Sequence, residues 1–84
     1  MKEREIEIGL EAGLDARPVA LLVQVASQFE SNIYIESGSK RVNAKSIMGM
    51  MSLGLDNGEK VKVTTDGKDE DNAMEGIEKF LKAE

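Results

Sequence analysis

A chain of 84 residues with neither histidine nor cysteine has a restricted choice of chemistry. It can form no disulfide and no thiolate zinc site. A metal would need an all-oxygen site, and the acidic run Asp66–Asp71 lacks the calcium-loop spacing of acidic residues with a central glycine. That run reads as a turn followed by the start of a helix. Two other stretches hold what remains. In Gly13-Leu14-Asp15-Ala16-Arg17-Pro18, a carboxylate precedes a guanidinium and a proline. Asp is a favoured N-cap, so the carboxylate of Asp15 is expected to accept the unpaired N–H of Arg17, while Pro18 is tolerated in a first helical turn. As a nucleophile toward any anionic group, Asp15 would be an anion attacking an anion, and that repulsion needs a bound cation. No acidic cluster beside Asp15 is available to hold magnesium. The second stretch is Asn43-Ala44-Lys45-Ser46-Ile47-Met48-Gly49-Met50-Met51-Ser52-Leu53. Of its two hydroxyls, that of Ser46 stands directly before an apolar run, as the N-cap of a short helix would.

The elements that must position these residues follow from periodicity. Ile6, Ile8 and Leu10 alternate with Glu5, Glu7 and Gly9, the pattern of a strand with one buried face. After Asp15, the residues Val19, Leu22, Val23, Ala26 and Phe29 recur at helical spacing. Ile33 and Ile35 alternate with Tyr34 and Glu36 in a second strand. Ser37-Gly38-Ser39 supplies a turn, and Lys40 to Asn43 forms a third, short strand. The short helix after Ser46 carries Ile47, Met48 and Met51. Asp56-Asn57-Gly58 is a turn signal, and Val61, Val63 and Thr65 alternate with Lys60, Lys62 and Thr64 in a fourth strand. A last helix starts at Asp69, with Glu70 and Asp71 complementing its positive end and Lys79 and Lys82 its negative end. Ala73, Ile77, Phe80 and Leu81 form its inner face. Gly76 interrupts it at a cost of about 1 kcal/mol relative to alanine, with no reason visible in the sequence.

The order βαββαβα, with strands polar on one face, predicts an α+β fold: a four-stranded antiparallel sheet with helices packed on one face. The length suits one domain over residues 1–84. The charged beginning, Met1-Lys2-Glu3-Arg4-Glu5, is unlike a secretory signal, and no apolar stretch reaches the length of a membrane span. A cytoplasmic protein is the expectation. The net charge of −5 opposes direct nucleic-acid binding, which requires a basic surface.

The two stretches resemble the motifs of the HPr family, the small phosphocarriers of the bacterial sugar phosphotransferase system, and within it the HPr-like proteins of catabolite repression. In that family an acceptor histidine precedes Ala-Arg-Pro, and the second motif carries a regulatory serine. Here the acceptor position is Asp15 and the serine is Ser46. The resemblance implies an open-faced β-sandwich. Its relay site uses free N–H groups of a first helical turn, the positive helix end and an arginine fork to hold phosphoryl oxygens; Arg17 remains, the nucleophile does not. Asp15 has three readings: an N-cap kept after the catalytic requirement disappeared, a permanent negative charge imitating a phosphorylated state, and an aspartyl-phosphate acceptor. The family's HPr-like regulators carry another non-histidine residue there, often glutamine.

For Ser46 the resemblance implies phosphorylation from ATP or pyrophosphate by HPr kinase/phosphorylase. The modification adds about −1.5 to −2 charge at a helix start, leaving the backbone largely unchanged. Ile47, Met48 and Met51 then form an exposed docking patch, with Met50 and Leu53 turned inward, and Asp15, Arg17 and Ala20 join the partner surface. The implied protein is not an enzyme and needs no cofactor. It acts as corepressor of catabolite control protein A, a LacI-type regulator, without touching DNA or a membrane itself, and metabolic enzymes are further partners. The alternative is a phosphocarrier altered at position 15, naturally or by engineering.

Overall fold

The computed structural model describes residues 1–11 and 16–83 of the chain. Its elements run β1 (Lys2–Glu7), α1 (Ala16–Ser27), β2 (Asn32–Ser37), β3 (Lys40–Asn43), α2 (Ile47–Met51), β4 (Lys60–Asp66) and α3 (Glu70–Lys82). The four strands form one sheet in the order β1-β4-β2-β3. Every neighbouring pair is antiparallel, with Ile6 opposite Val61, Ile35 opposite Val63 and Ile35 opposite Val42. The α+β architecture expected from the pattern is present, and it is the open-faced sandwich that the resemblance implies.

The alternation that predicts the strands is the alternation that builds the core. Ile6, Ile33, Ile35, Val61 and Val63 are buried together with Val19, Leu22 and Ala26 of α1 and Ala73, Met74, Ile77 and Leu81 of α3. Ile8 and Leu10 lie past the end of β1, yet Ile8 keeps the strand's course by bonding Glu59 O at 2.8 Å and accepting from Gly58 N at 2.8 Å. Thr64 points to the polar face as its register demands, but it is buried because Glu3 of β1 and Tyr34 of β2 flank it in the interior of the sheet. On that open face Lys62 Nζ lies 3.1 Å from Glu3 and 4.0 Å from Glu36, and Arg41 Nε lies 3.7 Å from Glu36. The Arg41 guanidinium also stands 4.3 Å above the Tyr34 ring. A row of alternating charges therefore crosses all four strands.

Two features of α3 are legible only in three dimensions. A Cβ added at Gly76 would come within 3.0 Å of the Phe29 ring, so the missing side chain is what lets α3 approach the end of α1. Asp69 is the N-cap residue of α3 but makes no side-chain bond to its own helix. Its carboxylate instead accepts from Glu30 N and Ser31 N, each at 2.9 Å, and from the Ser31 hydroxyl. It thereby ties the entry of α3 to the turn between α1 and β2.

Candidate functional site

The chain turns into α2 through Asn43, whose side-chain oxygen accepts from Lys45 N at 2.8 Å. This bond, made two residues along the backbone, substitutes for a ladder bond as β3 ends. The Asn43 carbonyl also accepts from Ser46 N at 3.0 Å, and Ala44 N still reaches Ile33 O at 2.9 Å. Lys45 Nζ donates to Phe29 O at 2.7 Å, which holds the turn against the end of α1. Ser46 is thus delivered from a fixed turn. Its backbone is extended, at φ −108° and ψ 113°, and its Oγ accepts from Gly49 N at 3.1 Å. The hydroxyl does what an N-cap does, and its residue is exposed.

The rest of α2 divides by burial. Met50 is fully buried and Leu53 packs half-buried against the core. Ile47, Met48 and Met51 are 52%, 84% and 45% exposed. The far end of the helix is held by Ser52, whose hydroxyl donates to Gly49 O at 2.6 Å and whose carbonyl accepts from Lys40 Nζ at 3.0 Å. Gly49 has little room to be anything else, since an added Cβ would lie 3.3 Å from both Ser46 Oγ and Val42 Cβ. The helix α2 rests on β3 and α1, and among the described residues nothing buries its apolar stripe of Ile47, Met48 and Met51.

On α1, Arg17 is exposed and Ala20 half-buried. Asp15 lies outside the described residues. Leu21 was not marked by the sequence pattern, and it is 48% exposed. The signal that could have found it is its place four residues after Arg17, which puts the two on one helical face. Four large apolar side chains of two touching helices therefore stand in solvent, with a hydroxyl at the start of the second helix. Exposed apolar groups clustered as Ile47, Met48 and Met51 are on α2 mark interaction sites more often than isolated ones do. Among the described residues no group of acidic side chains is arranged to hold a metal ion, and no helix is long and apolar enough to cross a membrane.

The family model described as PTS HPr component phosphorylation site matches residues 2–83. The chain is 49% identical to the HPr-like protein Crh of Halalkalibacterium halodurans over 84 residues, covering 100% of both chains. It is 43% identical to the HPr-like protein Crh of Bacillus subtilis, covering 100% of this chain and 99% of the relative. The solved structure of HPr-C-His from Thermoanaerobacter tengcongensis matches with a TM-score of 0.93 at 49% identity, over 99% of this chain and 93% of that one.

Proposed function

This chain belongs to the HPr family of the phosphotransferase system, whose members are phosphocarriers or regulatory proteins and not enzymes, and from that premise we propose that it is a regulator switched by phosphorylation of Ser46. The observation that carries the reading is an exposed serine hydroxyl capping a short helix whose outward residues, Ile47, Met48 and Met51, are apolar and uncovered. A phosphate there adds about −1.5 to −2 charge and three acceptor oxygens beside a desolvatable surface. Charge for orientation and apolar contact for residence make a two-part recognition element. The modifying enzyme is HPr kinase/phosphorylase. The phosphorylated form acts as corepressor of catabolite control protein A, presenting its phosphate and patch, with Arg17 and Ala20, to a basic and apolar surface of that regulator. Metabolic enzymes are further candidates for the same surface. Because the chain holds no histidine, phosphohistidine relay is closed to it.

The test is intact mass after two incubations, one with HPr kinase and ATP, the other with enzyme I and phosphoenolpyruvate. One added phosphate with the kinase alone, lost in Ser46→Ala, supports the regulator. Phosphate acquired from enzyme I overturns it.

A second reading is favoured by one finding: the HPr-C-His of Thermoanaerobacter tengcongensis is as similar to this chain, at 49% identity, as the Crh of Halalkalibacterium halodurans. On that reading the chain is a phosphocarrier altered at position 15, and Asp15→His restores transfer from enzyme I. Failure of that variant to accept phosphate removes the second reading.

A further inference from the structure

The chain contains five methionines and no cysteine, so thioethers are its only sulfur. Burial separates them sharply. Met50 is fully buried and Met74 is 2% exposed, whereas Met48 is 84%, Met1 71% and Met51 45% exposed. Two of the three accessible thioethers therefore lie on α2, within a few residues of Ser46, in the patch read above as a docking surface. Met48 and Met50 are two residues apart on one helix and occupy opposite environments.

An exposed thioether reacts with peroxides in a balanced two-electron step. A sulfur lone pair attacks one peroxide oxygen, the S–O bond forms and the O–O bond breaks. The attacked oxygen is the terminal hydroxyl; its proton passes to the departing oxygen, which leaves as water, or as an alcohol when the oxidant is an alkyl hydroperoxide. The product sulfoxide is polar and chiral, and methionine sulfoxide reductases reverse it. A flexible apolar side chain suited to fitting several partners becomes one whose S–O dipole must be desolvated on docking, which costs free energy unless a partner supplies a hydrogen bond.

We propose that Met48, followed by Met51, is a site of reversible oxidation by hydroperoxides, and that the sulfoxide weakens docking at the Ser46 patch. The effect on docking rests on the functional reading above; the oxidation site itself rests on exposure alone. Because Met50, which anchors α2 to the core, is shielded, the modification changes the surface while leaving the helix seated. Serine phosphorylation would then report one condition and methionine oxidation another, at a single surface.

The experiment titrates the intact protein with hydrogen peroxide and maps the products by peptide mass. Met48 should convert first, Met51 and Met1 should follow, and Met50 and Met74 should persist at peroxide doses about tenfold higher. Conversion of Met50 in step with Met48 overturns the proposal. The Ser46-phosphorylated protein is then tested for binding to the regulator before and after oxidation, with an expected loss of about tenfold that sulfoxide reductase restores. A double variant, Met48→Leu with Met51→Leu, is compared only with itself: peroxide should leave its affinity unchanged although Met1 still oxidises. Equal affinity of oxidised and native wild type overturns the docking effect, as does a loss that persists in the double variant. If the unoxidised phosphoprotein does not bind the regulator, the functional reading fails and the docking effect fails with it, while the peptide map still decides the oxidation site.

Discussion

Ser46 uses one oxygen for two purposes that do not compete in time. Unmodified, Oγ accepts from Gly49 N at 3.1 Å and closes the start of a five-residue helix. Modified, the same position would carry a phosphate whose oxygens can take over that N–H. Ser46→Ala therefore has two separable consequences. The kinase can no longer add phosphate, and the lost cap costs about 1 kcal/mol. Equilibrium urea unfolding should show a lower midpoint with an unchanged slope, because the surface exposed on unfolding stays the same. Ser46→Asp keeps a capping oxygen, so its midpoint should stay near that of the wild type although the kinase cannot modify it. If the two variants lost equal stability, the cap bond would not be what holds α2. Asp15 is the contrasting residue: sequence chemistry is enough to deny it an easy phosphoryl transfer, and its position lies outside the described residues.

At the scale of elements, Gly76 and Asp69 show how helices are placed. Replacing a mid-helix glycine by alanine should stabilise α3 by about 1 kcal/mol. Here the new Cβ would stand 3.0 Å from the Phe29 ring, so that gain is opposed by displacement of an aromatic packed between two helices. Gly76→Ala should leave the thermal midpoint unchanged or lower it, and adding Phe29→Leu should recover the propensity gain; a clear rise from Gly76→Ala alone would show that Phe29 yields freely. Asp69 acts through charge. The Ser31 hydroxyl and then the Glu30 N–H hold its carboxyl below the ordinary value. A depressed folded-state value means that the unfolded chain binds the proton more readily. The stability that Asp69 contributes is thus complete above the ordinary carboxylate range and is lost as pH falls through the depressed value. Glu70 and Glu78 are also held low, Glu70 by the Gly67 N–H first and Glu78 by Lys82 first, so the informative quantity is a difference. The stability gap between wild type and Asp69→Asn, from denaturant midpoints across an acid series, should narrow with acidification; a constant gap would mean that the carboxylate's charge is immaterial. These two residues also mark the boundary of what the sequence could disclose. The Ser37-Gly38-Ser39 turn placed β3 at Lys40–Asn43 and a helical stripe placed Val19, Leu22 and Ala26 inside, because each signal is local. The Asp69–Ser31 tie spans 38 residues, and the Gly76–Phe29 contact depends on how closely two helices approach, so no local period encodes either. Leu21 escaped for a related reason: its spacing puts it on the face of Arg17, but whether that face is covered depends on what packs beside it.

At the scale of the whole molecule, charge and apolar surface are segregated, and this sets how a partner is met. Across the open face Glu3, Lys62, Glu36 and Arg41 pair with one another, so that face is close to self-neutralised. The net charge of −5 is felt at a distance, and a phosphate at Ser46 would deepen it by about −1.5 to −2. A regulator with a basic receiving surface would then be drawn in by a long-range field, which speeds encounter. Once contact is made, residence depends on Ile47, Met48 and Met51, whose burial is insensitive to modest salt. The two rate constants should therefore respond differently to ionic strength. Raising salt from about 0.05 to about 0.5 M shortens the screening length several-fold, and the association rate should fall by about tenfold. The dissociation rate should change less than about twofold, because interface contacts and not steering determine it. Stopped-flow or surface-capture kinetics of the phosphoprotein with the regulator would separate the two. A salt effect carried mainly by dissociation would place the energetic weight on ion pairs desolvated within the interface, and would demote the apolar stripe of α2 from anchor to bystander.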